Sequence, residues 1–174
     1  MKSKEYLNNL LEVYKSCFDI EENLKIDEYN FSAYGYFNSK AEKYVLVKEV
    51  NLWEVNNFEY IFFLEVEKLN EKDIDNIEFL IKNSIEKDYV RKGEKYPPKN
   101  HMTSYISIVF ISSNEISENV KRKIEKFKFE KTYLFSIRGF LTTRFIGVDL
   151  IKNKIYYNKS SKEIISVFEK SLKI

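Results

Sequence analysis

The chain has 174 residues, 44% hydrophobic and 32% charged, with one cysteine, one histidine and a net charge of +2. This is the size and balance of one globular domain, able to bury roughly 70% of the surface its unfolded form exposes without disulfide or metal staples. The lone Cys17 and lone His101 exclude an internal disulfide and a Cys/His zinc cluster, no run reaches the roughly 18 apolar residues of a membrane helix, and Glu5 and Glu12 interrupt any secretory leader. The expectations that follow are a reducing cytoplasm, no metal, no cofactor and no membrane partner.

Ser3 opens a predicted helix over about 4–18, in which Leu7, Leu10, Leu11, Tyr14 and Phe18 recur at helical spacing. Tyr29, Phe31, Ala33 and Phe37 alternate with Asn30, Ser32, Tyr34 and Tyr36, the period of two of a half-buried strand. Strands are also predicted over 44–50 and 60–66, and three strands in series read as an antiparallel meander. Asn70 and Asp73 start a second helix whose apolar face is Ile74, Ile77, Ile81 and Ile85 and which ends near Val90. Residues 91–104 hold both prolines and the histidine without apolar periodicity, so they read as one long loop.

A strand over 105–111 follows, then a helix opened by Asn114 and carrying Ile116, Val120, Ile124 and Phe127. Strands are predicted near 131–138, 140–151 and 154–158, and a capping box, Ser160 with Glu163, precedes a last helix with Ile164, Ile165, Val167, Phe168 and Leu172. The order αβββαβαβββα predicts a single α+β domain over 1–174 with a mostly antiparallel sheet. Tyr29, Phe31, Ser32 and Gly35 recur at one constant offset as Tyr133, Phe135, Ser136 and Gly139, the trace expected of a tandem αβββα pseudo-repeat.

Charge divides the chain. Residues 1–90 carry 11 Lys against 19 Asp and Glu, a net of −8, and residues 91–174 carry 18 Lys and Arg against 8 acids, a net of +10. The basic half predicts an anionic partner: nucleic acid, an acidic protein surface, or the acidic half of a second copy in a homo-oligomer. Its candidate anion-binding residues are Lys121, Arg122 and Lys123 in a basic run interleaved with Phe127 and Phe129, Arg138 and Arg144 flanking a turn, and Lys95, Lys99 and His101 in a loop stiffened by Tyr96-Pro97-Pro98.

Catalytic motifs are sparse. Four glycines at 35, 93, 139 and 147 build no phosphate cradle, and His101 is the only imidazole available to a nucleophile. Glu49, Glu65 and Glu67 are the carboxylates that a magnesium site at strand ends would use. Over about 4–111 the order helix, three strands, helix, strand resembles the core of restriction-endonuclease-like nucleases. That resemblance implies an acid on the second strand and acid-x-Lys on the third. Here Glu65 is followed at plus two by Glu67, and Lys68 comes one position late. The leading expectation is therefore a binding or adaptor module without catalytic residues. The alternative is a magnesium-dependent phosphodiesterase.

Overall fold

The computed structural model describes residues 2–42 and 54–173, and every strand in it joins one sheet. Helix α1 (Ser3–Tyr14) leads into the antiparallel meander β1 (Asp19–Ile26), β2 (Tyr29–Glu42) and β3 (Glu54–Val66). Helix α2 (Glu71–Leu80) widens into a π-helical stretch (Ile81–Val90) and crosses over to β4 (His101–Ser112), which lies parallel to β3. After α3 (Glu118–Lys126) and the short β5 (Glu130–Thr132), β6 (Phe140–Asp149) lies parallel to β4. β5 and β7 (Lys154–Tyr157) both pair antiparallel with β6, and α4 (Ile165–Ser171) closes the chain. The spatial order is β1-β2-β3-β4-β6-β5, so four antiparallel pairings surround two parallel ones in an α+β domain of the expected order.

Parallel pairing requires crossovers, and crossovers put helices on the sheet faces. Phe58, Tyr60 and Phe62 of β3, Ile106 and Ile108 of β4 and Phe145 of β6 face α2, the π stretch and α3, meeting Ile74, Ile77, Ile81, Ile85 and Ile124. The alternate residues Ile61, Phe63, Val109, Ile111, Ile146 and Val148 face Tyr6, Leu7 and Leu10 of α1 and Ile165 and Phe168 of α4. With both faces covered, β4 needs apolar residues at successive positions, which is why 105–111 reads as a strand.

Four local expectations change, and a fifth falls on residues that are not described. β1 escapes the alternation rule because Asp19, Glu21 and Glu22 crowd an edge strand that is largely exposed and broken by a left-handed Asn23 at φ 59°. The strand expected over 44–50 lies outside the described residues. The long loop spans only 91–100, since the polar His101, Thr103 and Ser104 are already part of β4. Helix α3 is capped by Ser117, whose Oγ accepts from the Val120 amide at 3.4 Å, while Asn114 binds the Glu67 carbonyl at 2.9 Å. Ser160 and Glu163 sit in a 3₁₀ turn ahead of α4, and their polar groups serve Arg144.

The largest departure is at 133–139. Only 130–132 is strand, and Leu134, Phe135 and Ser136 take left-handed φ of 48°, 52° and 69° in a compact turn. Its sequence echo, Tyr29 to Gly35, lies on β2, so the two copies share residues and not conformation. Gly139 closes this turn at φ +75°, and a Cβ there would land on the Met102 carbonyl and 2.8 Å from His101 Nδ1. Gly139→Ala is expected to lose about 3 kcal/mol in urea unfolding, whereas Gly93→Ala, at φ +79° with open space around it, should lose about 1 kcal/mol for backbone strain alone. Equal losses would show that the Met102 contact is not what demands glycine.

Candidate anion-binding site

Because β3, β4 and β6 run parallel, their amino-terminal ends meet at one edge of the molecule, where the 91–100 loop and the 133–139 turn also lie. Asn56 and Asn57 pair with His101 and Thr103, so Met102 is the extra residue of a β-bulge that re-aims this end of β4. The two connections are bound together by specific contacts. His101 places Nδ1 2.7 Å from the Arg138 carbonyl and Nε2 2.8 Å from Ser104 Oγ, with its ring stacked on Phe58 at 5.8 Å. Arg138 Nη1 donates to the Pro97 carbonyl at 3.1 Å, and Pro97 is buried.

This geometry revises the role expected of His101. The ring is 4% exposed, and burial pushes its pKa down, partly offset by the Arg138 carbonyl. The Arg138 carbonyl can only accept, which makes Nδ1 a donor, and burial favours the neutral ring, in which Nε2 accepts from Ser104. His101 is therefore a strut between loop and turn, without a ring nitrogen left for an anion or for general base work.

A second strut stands on the π-helical stretch. Glu86 is buried and accepts from Arg91 Nε at 2.9 and 3.1 Å, from Tyr133 Oη at 2.7 Å and from Lys131 Nζ at 3.1 Å. Burial works to raise its pKa, but the Arg91, Tyr133 and Lys131 bonds outweigh it and hold the carboxyl below its usual value. The same contact pushes the Tyr133 phenol upward, after burial, which is the larger cause. Glu86 thus ties the end of the helix and the start of the loop to the strand that leads into the turn.

Between these struts runs a groove of about 440 Å³. Arg91, Lys92, Lys95, Lys99 and Arg138 line it against a single acid, Glu94, and Tyr96, Pro97 and Pro98 form its stiff wall. Arg91 is committed to Glu86. Among the described residues Lys92, Lys95, Lys99 and Arg138 form no ion pair with any acid. Lys95 instead lies over the Tyr96 ring at 5.4 Å.

The other candidate residues lie elsewhere. On α3, Lys121 pairs with Glu118 at 3.4 Å and covers Tyr156, Lys123 pairs with Asp75 at 2.6 Å, and Arg122 is exposed beside Lys126 and Lys128 in a separate pocket. Arg144 is buried against the opposite face of the sheet. It bonds Glu59 at 2.9 Å and the Ser160 carbonyl at 3.2 Å, approaches Glu163 at 3.5 Å, and stacks 3.8 Å above Tyr105. An internal cross-strand ion pair takes the place of the anion site expected of Arg144.

The carboxylates of the alternative reading are not assembled. Glu65 is the penultimate residue of β3, with its amide bonded to Ser32 Oγ at 3.2 Å, Glu67 lies just past the strand, and Glu49 lies outside the described residues. Among the described residues no three Asp, Glu, His or Cys side chains converge as metal ligands would.

A family model described as "Domain of unknown function (DUF8052)" matches residues 2–170. No curated protein and no solved structure matches the chain.

Proposed function

The chain belongs to the DUF8052 family, and we propose that it is a cytoplasmic binding module that docks an anionic partner in the groove between the 91–100 loop and the 133–139 turn. The observation that carries this reading is the pairing of charges. The α3 cations Lys121 and Lys123 are ion-paired with Glu118 and Asp75, whereas among the described residues Lys92, Lys95, Lys99 and Arg138 line the groove beside a single acid, Glu94, and form no ion pair with it. Like charges gathered on a concave wall raise the local potential and concentrate counterions, which a phosphate or carboxylate partner displaces with a gain in entropy. The Pro97-Pro98 wall and the His101 and Glu86 struts fix the groove in advance, so little entropy is lost on binding.

Single-stranded DNA and heparin are suitable probes of the shared chemistry. Engagement of three or four cations predicts a slope of about −2 to −4 when the logarithm of affinity is plotted against the logarithm of salt concentration. A slope near zero, or no retention on heparin at low salt, would count against the reading.

A further inference from the structure

We infer that this end of the molecule docks on an anionic lipid surface, with the 133–139 turn set among the headgroups and the groove cations on lipid phosphates. The inference rests on the anion-binding reading of the groove and names its partner. It departs from the expectation of no membrane partner, which came from the lack of a spanning run. Surface docking needs no spanning helix, and no helix among the described residues is long and apolar enough to cross a membrane.

Of the eight large apolar residues exposed among the described ones, five sit together here: Met102, Leu134, Phe135, Ile137 and Phe140. Phe135 is 96% exposed and Ile137 72%. The backbone brings the five near one another, because Gly139 lies against the Met102 carbonyl and Phe140 pairs with Thr103, the residue after Met102. Val13, Phe79 and Ile151, the remaining three, are scattered singly on other elements. A cluster of this kind marks a contact surface.

Three features favour lipid over other occupants. The turn is tied to itself by four backbone hydrogen bonds, from Tyr133 to Gly139, Ile137 to Leu134, Arg138 to Tyr133 and Gly139 to Ser136, at 3.0 to 3.1 Å. Much of its polar backbone is therefore satisfied before it leaves water. Three of the five, Leu134, Ile137 and Met102, have no π face, so unpaired bases would stack only on Phe135 and Phe140, whereas acyl chains gain from all five. Phe135 and Ile137 are 96% and 72% exposed and so stand clear of the turn, where a protein partner would need a pocket to receive them and an acyl–headgroup boundary would not. Arg138, inside the turn, also lines the groove, so cations rim the apolar tip as an anionic bilayer requires.

The test is co-sedimentation of the full chain with phosphatidylcholine vesicles, with and without phosphatidylserine. The parent is expected to sediment with the anionic vesicles and not with the neutral ones. Phe135→Asp with Ile137→Asp, and separately Lys95→Glu with Lys99→Glu, should each weaken that binding by about tenfold or more at unchanged melting temperature. The tip variant should keep its retention on heparin, because the groove cations are intact. A parent that binds heparin and ignores anionic vesicles would overturn the lipid inference and leave the anion-binding reading standing. A tip variant that sediments like the parent would overturn it too. So would one whose only change is loss of a dimer in sedimentation velocity or loss of single-stranded DNA binding.

Discussion

Glu86→Ala is expected to destabilise the protein by about 3–5 kcal/mol, the cost typical of removing one partner from a buried charge network. Arg91, Tyr133 and Lys131 all direct donors at this carboxylate, and with it gone Arg91 Nε and the buried Tyr133 hydroxyl lose their acceptor, while Arg91 Nη1 keeps the Glu94 carbonyl at 2.6 Å. The 91–100 loop and the 133–139 turn would lose a shared anchor, so the groove should loosen together with the fold. Tyr133→Phe removes a single donor and should cost only about 1 kcal/mol. The pH dependence has a definite sign. A carboxyl held below its unfolded value contributes stability above about pH 4.3 and loses it as pH falls through the lower native pKa. Urea unfolding of parent and Glu86→Ala should therefore differ most near neutrality and converge in acid.

Much of this arrangement was legible in residue spacing. The stripe Ile74, Ile77, Ile81 and Ile85 marks the helix that covers the sheet, the apolar run 105–111 marks its central strand, and the prolines mark the loop that walls the groove. Glu86 was not legible. A carboxylate beside Ile85 reads as a solvated helix residue, and the partners that hold it inside, Lys131 and Tyr133, are distant in sequence. The 133–139 turn was misread because Tyr133, Phe135 and Ile137 alternate as strand residues do, while three left-handed residues reverse the chain instead. Charge density misled at Lys121–Lys123 for a different reason. What those cations face depends on Asp75 from α2 and Tyr156 from β7, which only the tertiary fold brings near. The same holds for Arg144, whose partner Glu59 is distant in sequence and reaches it across the intervening strand β4.

The unpaired charges of the groove can be weighed in a single measurement against three cations of α3, two of which are ion-paired. Lys92→Glu/Lys95→Glu/Lys99→Glu and Lys121→Glu/Arg122→Glu/Lys123→Glu each reverse three cations, so both variants shift the net charge equally and differ only in where the change falls. None of the six side chains is part of the core, and the surface pairs broken on α3 are worth no more than about 1 kcal/mol each. Affinity for a fluorescent single-stranded oligonucleotide, read by anisotropy at fixed low salt, is predicted to fall about 30-fold or more in the groove variant and less than about threefold in the α3 variant. Equal losses in the two variants, or the larger loss on α3, would contradict the assignment of the site to the groove.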